Sequence, residues 1–394
     1  MAVSRNDIST RVGDRMRDWR RDFHAHPELA YEEVRTSSRV AQILQDIGLD
    51  EIHDEIGKTG VVGVLHGQNG SARDESSAVM FRCDMDALSM QEHTNLLYQS
   101  KFAGKMHACG HDGHMAMLLG AATCLAQSRN FDGTVYFCFQ PAEEDGGGAL
   151  AMINDGLFDR FPCHSVLGVH NWPGIDEGIL AVRAGPFLAA ADSFEIQING
   201  VGGHAALPHG ACDPIAAGCF LVNSLQNIIP RFIDPLESAV LTITAFNGGG
   251  TYNVIPDSVT LKGTVRSFDE DTHNRIYQQI EKAMSGASGL FSVAMKIKYS
   301  EVRYPPTVND ADLVQKILPV MKQSARDGVV IENQKPTMGA EDFSFMARVK
   351  PGAFIFIGNG DSAALHNSHY DFNDNVACDG AAYWVNLAEY ILAR

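Results

Sequence analysis

The sequence predicts an α/β main domain with a smaller α+β domain inserted into it. Three observations carry that prediction. The chain has 394 residues, more than one hydrophobic core ordinarily serves. Up to about Gly185-Pro186, short apolar runs alternate with longer amphipathic ones. Beyond that point the texture changes to a period of two for about a hundred residues, and from Tyr304 the first style returns.

In the first part, GVVGVLHG, AVMFRCDMDAL, GTVYFCFQP and SVLGVHNWP read as strands, and the stretch from Asp112 to Ser128 reads as a helix. Strands alternating with helices predict a doubly wound sheet, a fold that places its chemistry in loops at the strand ends. In the middle part, DSFEIQING, SAVLTITAF, DSVTLKGTVRSF and SVAMKIKYSEV alternate as half-buried strands do. Helical stretches from about Asp213 to Ile228 and from Thr272 to Ala287 separate them. The chain ends in a helix over VNLAEYILAR. The expected division is a discontinuous main domain of residues 1–186 and 304–394 and an inserted domain of residues 187–303.

Composition narrows the function. Hydrophobic residues make up 45% and charged residues 20%, as in a globular protein. The formal net charge of −17 opposes binding to nucleic acid and to anionic membrane surfaces, so neither is expected as a partner. The N-terminus lacks the apolar stretch of a signal peptide, and no segment approaches about 18 consecutive apolar residues. The eight cysteines are scattered without a CxxC pair and read as buried free thiols. A cytoplasmic location is expected.

The densest chemical cluster is HACGHDGH, residues 107–114. It holds one thiol and three imidazoles, the usual ligands of zinc and related divalent ions. At Cys109 and His111 the i, i+2 spacing in an extended loop can turn both side chains to one centre. Glu143-Glu144 follows the apolar strand VYFCFQ. Adjacent carboxylates at a buried strand end repel each other unless a cation or a shared proton relieves them. Metal-assisted hydrolysis uses such a pair, one carboxylate holding the ion and its neighbour taking a proton from the attacking water. His170 is expected to follow the strand SVLGVH and His366 to lie after the strand AFIFIG, so both emerge where strands end, with His369 a competing candidate for the latter. Asp84 and Asp86, after AVMF, suit the orientation of a ligand histidine or simple loop capping.

The ordered set RRDFHAHPEL, DMDAL, HACGHDGH, QPAEE, GVH, GGHAALPH, NVIPD, GTVR, MGAEDF and LHNSHYDFND resembles the M20 metallopeptidase family. Within it the set is most similar to the amidohydrolase branch of hippurate hydrolases, N-acyl-amino-acid deacylases and auxin-conjugate hydrolases. The resemblance runs from about residue 20 to the C-terminus. It implies a zinc-peptidase-like catalytic domain, whose mixed sheet is flanked by helices, and an inserted ferredoxin-like lid that serves dimerisation. It implies two divalent ions (zinc, manganese, cobalt or nickel) on Cys109, His111, Glu144, His170 and His366, with Cys109 bridging and Glu143 as general base. Asp86 matches the ligand-orienting carboxylate, while Asp84 stands where other branches place a ligand histidine. His204 matches a histidine that reaches the substrate's oxyanion, and Asn253 and Arg266 match groups that hold the substrate. Ser89 departs from the usual proline.

The implied reaction is metal-dependent hydrolysis of the amide bond of N-acyl amino acids, by a homodimer or tetramer associating through the lid. Rival readings are a metallo-aminopeptidase or dipeptidase, a hydrolase with Cys109 as nucleophile activated by His111 or His107, and a non-catalytic metal-binding protein.

Overall fold

The apolar runs of the first part become neighbouring strands because both of their faces are covered, which is why they read as continuous rather than alternating. We describe them from a computed structural model that covers residues 2–68 and 75–393. The chain divides into two units, one of Met1–Phe187, Val308–Lys335 and Asp342–Arg394, the other of Leu188–Thr307 and Pro336–Glu341.

The first unit is built on an eight-stranded mixed sheet. Its leading strands are β1 (Glu51–Ile56), β2 (Gly60–His66), β3 (Ala78–Asp84), β4 (Thr134–Gln140) and β5 (Ser165–Pro173). The spatial order is β1, β2, β4, β3, β5, then Gly352–Gly360, Leu180–Ala181 and Val330–Ile331. β1 and β2 are antiparallel, as are β2 and β4. The four central strands β4, β3, β5 and Gly352–Gly360 are mutually parallel. Adjacent parallel strands end on the same edge, so loops far apart in sequence emerge side by side.

The helix His111–Ser128 is almost wholly apolar from Met115 to Leu125 (MAMLLGAATCL) and is buried from His111 to Leu125. It shares one core with the helices Asp14–Ala25 and Asp374–Ile391; Trp384 of the last stacks on Phe81 of β3, ring centroids 4.6 Å apart. That C-terminal helix begins well before VNLAEYILAR, at a cap where Asn373 accepts from the backbone of Asn375. His170 is the sixth of nine residues in β5, so it lies inside the strand rather than after it. Among the described residues no helix is long and apolar enough to cross a membrane.

The second unit has four antiparallel strands in the spatial order Ala239–Gly248, Ser258–Ser267, Ala190–Asn199, Ala294–Tyr299. With the helices Pro214–Gln226 and Glu270–Phe291 following the first and third of these strands in the chain, the topology is βαββαβ, the ferredoxin-like arrangement. Phe194, Ile196 and Ile198 point inward between outward Glu195, Gln197 and Asn199, and meet Ala217, Leu221 and Leu225 of the first helix. Asp213 caps that helix by accepting from the backbone of Ile215 and Ala216, with Pro214 at its first position. Asp269 caps the second helix, which ends at Phe291, four residues beyond the expected Ala287, with left-handed Ser292 as its C-cap.

All eight cysteines are unpaired. Six are buried, but Cys219 is exposed, because the inward stripe of its helix runs through Ala217, Leu221 and Leu225 and leaves position 219 outside.

Candidate metal centre

Residues from five segments meet where the parallel strands end. Asp84 closes β3, Glu143-Glu144 follows β4, His170 lies in β5, His366 comes from the loop after Gly352–Gly360, and Cys109 and His111 flank the start of the helix His111–Ser128. The ligand atoms of Cys109, His111 and His170 lie within 4.8 Å of one another. So do those of Cys109, Glu144 and His366, and those of His111, Glu143 and Glu144. Cys109 is common to the first two groups, so a thiolate there faces both.

Backbone geometry makes this convergence possible. Gly110, between the two ligands, has φ +95°, and a Cβ on it would stand 2.0 Å from Asn171 Oδ1. Only glycine combines that conformation with that approach. Ala142, at φ 52°, turns the chain out of β4 toward Glu143. Its N–H donates to Glu33 Oε1 at 2.8 Å, and its carbonyl accepts from Gly146 and Gly148. Burial raises Glu33 to about 7, against the opposing effect of its hydrogen bond from Thr59.

Each buried ligand histidine is oriented by a carbonyl. His111 Nδ1 donates to Asp86 O at 2.8 Å, and His170 Nδ1 to Asn171 O at 2.7 Å. Both rings therefore turn Nε2 inward as a lone-pair donor; His170 Nε2 is 3.4 Å from Cys109 Sγ. The Asp86 carboxylate accepts from the backbone of Glu144 at 3.0 Å, with its other oxygen 3.4 Å from His111 Nδ1, so one residue couples two ligand segments. His366 Nε2 lies 3.4 Å from Glu144 Oε1. His369 instead turns its ring toward His93 and is not among these groups.

Behind the ligands lies a layer that the sequence reading left without roles. His114 bonds Asp84 Oδ1 at 2.6 Å through Nδ1 and Asn171 at 2.7 Å through Nε2. Arg82 donates to the other oxygen of Asp84 at 2.7 Å and to Asp342 at 3.0 Å. HACGHDGH contained the signal for His114 in its third imidazole. Arg82 has a local partner in Asp84 of its own strand, whereas the side chain of Asn171 meets His114 and Tyr370 from other segments.

The electrostatics call for a cation. Burial disfavours charge on His111, yet Asp84, Asp86 and Glu144 outweigh it and raise the ring to about 10. Burial, with Glu144, Glu143 and Asp84 nearby, pushes the Cys109 thiol well above its usual range. Burial and the neighbouring His114 hold His170 neutral, well below the ordinary imidazole value. His111 Nε2 and Glu144 Oε1 are buried, 3.9 Å apart, and have no hydrogen-bond partner. A cation between two such atoms would satisfy both. A thiolate, three imidazoles and a carboxylate fit divalent zinc, manganese, cobalt or nickel.

The same field weakens the case for a nucleophilic cysteine, since a thiol ringed by carboxylates is held protonated. His107, a possible base, is buried without hydrogen bonds and is pushed down to about 4 by that burial.

In the second unit, His204 pairs with Val254 across a two-stranded ribbon, beside Asn253, whose carbonyl accepts from Ala205. His204 Nδ1 accepts from the backbone of Ala206 at 3.0 Å, so the ring proton sits on Nε2. Arg266 lies apart from them, in the four-stranded sheet opposite Val240 and Ala191.

Fold and site together define a hydrolase of the metallopeptidase type. The chain belongs to the peptidase family M20/M25/M40, whose model matches residues 80–390. It is 42% identical to the hippurate hydrolase of Campylobacter jejuni over 94% of each chain. It is 38% identical to the N-acetyl-L-cysteine deacetylase of Bacillus subtilis, covering 95% of this chain and 87% of that one. Among solved structures it is similar to the Bacillus subtilis YXEP protein, described as a dinuclear metal binding peptidase, with a TM-score of 0.81 and 31% identity over 97% and 99% of the two chains.

Proposed function

We propose that this protein hydrolyses the amide bond of N-acyl amino acids, releasing a carboxylic acid and an amino acid. The observation that carries the reading is the pair of ligand groups sharing Cys109, with Glu143 beside them. Cys109, His111 and His170 would hold one divalent ion, and Cys109, Glu144 and His366 a second. Such ions supply Lewis acidity toward the scissile carbonyl and make the attacking water more acidic.

The rest is the work of the chain's own groups. Glu143, only 6% exposed, has its carboxylate within reach of the ligand atoms of His111 and Glu144. It takes the proton of the attacking water and returns it to the leaving nitrogen. Asp86 orients His111. His204, with its proton on Nε2, donates to the developing oxyanion, and Asn253 and Arg266 hold the substrate. The inserted region, residues 187–303, acts as the lid. The open outer edge of Ala239–Gly248 favours association of copies into a dimer or tetramer through it. The unpaired cysteines favour a reducing, cytoplasmic setting.

The test is a panel of N-acyl amino acids and matched free dipeptides, assayed after chelation and again after adding Zn²⁺, Mn²⁺, Co²⁺ or Ni²⁺. Metal-dependent cleavage of N-acyl substrates in preference to dipeptides is expected. Preference for a free α-amino group would move the protein to the aminopeptidases.

A further inference from the structure

Arg20, on the helix Asp14–Ala25, is fully buried, although it is far in sequence from every ligand. Its Nε donates to Asp374 at 2.7 Å and its Nη1 to Asp371 at 2.8 Å, with Asp112 Oδ2 at 3.4 Å from Nη1. The ring of Tyr98 covers the guanidinium at 4.5 Å, and its hydroxyl donates to the other oxygen of Asp371 at 2.7 Å. Asp112 follows the ligand His111 directly, and Asp371 lies at the end of the loop that carries His366. One cation thus ties two ligand-bearing segments together.

The two sides of the ligand cluster need that tie unequally. His111 and His170 are buried, one on a helix and one on a strand. His366 is on a loop, its side chain 53% exposed and its backbone at φ 61°, a conformation that a residue with a Cβ holds only when its surroundings impose it. Its N–H donates to Ala108 O at 2.8 Å, beside Cys109. Further along the loop, Asp371 is gripped from two directions by Arg20 and Tyr98. Loop ligands depend on such outer partners more than ligands on helices or strands do.

We infer that Arg20, acting with Tyr98 through Asp371, is a positioning residue that sets His366 and so governs the affinity of the Glu144–His366 side for its ion more than that of the His111–His170 side, whose rings are held by the Asp86 and Asn171 carbonyls. The inference rests on the metal assignment proposed above.

The test is a Co²⁺ titration of the metal-free full-length protein by calorimetry, with the thiolate-to-cobalt absorption band followed in parallel. Tyr98→Phe, Asp371→Asn and Arg20→Lys are compared with the parent and with His366→Ala. The parent takes up two equivalents. In the three positioning variants the first equivalent binds as in the parent, and the second is weakened about tenfold or more, the usual scale for outer partners of a ligand. Tyr98→Phe removes only a hydroxyl, so its melting temperature stays near that of the parent and the effect is not one of unfolding. The inference is overturned if both equivalents weaken equally, or if His366→Ala loses the second equivalent while the three variants retain it. If His366→Ala itself keeps the second equivalent at parental affinity, the metal assignment fails and the inference with it.

Discussion

Replacing Gly110 by alanine adds one methyl group between two proposed metal ligands. The backbone there has φ +95°, and the new Cβ would lie 2.0 Å from Asn171 Oδ1 and 2.6 Å from the Tyr370 hydroxyl. Holding an alanine in a left-handed conformation costs about 1–2 kcal/mol, and forcing a methyl group into a packed site costs about 1–3 kcal/mol more. The sum is about 2–5 kcal/mol, felt as a melting temperature lower by about 4–20 °C at the roughly 2–4 °C per kcal/mol of domains this large. Asn171 cannot move alone, since it also bonds His114 and Tyr370. Its displacement shifts the carbonyl that orients His170. Gly110→Ala should therefore lose bound metal as well as stability. Differential scanning calorimetry and elemental analysis of the purified variant measure both. A variant that melts within about 1 °C of the parent, well below the expected shift, and carries the parental metal content would refute the reasoning.

Glu143→Gln keeps the shape of the base and removes its basicity, so kcat should fall by about 10²–10⁴. Metal content by elemental analysis should stay near the parental value. His24 is raised to about 9 because its hydrogen bonds to Asp112 and Glu92 overcome its burial. Its folded value lies above the ordinary 6.5, so the stabilisation is complete below about pH 6.5 and is lost as pH rises through 9. About 2.5 pH units at about 1.4 kcal/mol each gives about 3.5 kcal/mol. Urea unfolding of metal-loaded protein at pH 6.5 and pH 9.5 should show His24→Gln differing from the parent by that much more at the lower pH. A constant difference would remove His24 as the cause. Cys109→Ala removes the ligand common to both groups and should lower the metal content to well below that of the parent, as elemental analysis would show; a folded variant with parental metal content contradicts its role as a ligand.

Much of this protein was legible in the sequence because local rules act locally. Uniformly apolar runs fixed the central strands, period-two alternation marked the strands of the inserted unit, and Asp213-Pro214 announced a helix start. HACGHDGH and Glu143-Glu144 declared ligand chemistry by residue type alone. His170 was misplaced relative to its strand end, since an apolar strand gives no local sign of where its ladder stops. Tertiary structure decided which candidates meet. His366 rather than His369 stands with Cys109 and Glu144, because the loop after Gly352–Gly360 takes a left-handed turn at residue 366 and is held at Asp371 by Arg20 and Tyr98. Asn171 and Arg20 acquire their places through partners up to hundreds of residues away, and Arg82 joins Asp84 of its own strand to the distant Asp342. Periodicity reports what a residue does for its own element. The closure of parallel strands onto one edge, which brings Asp84, Glu144, His170 and His366 together, is a property of the whole sheet.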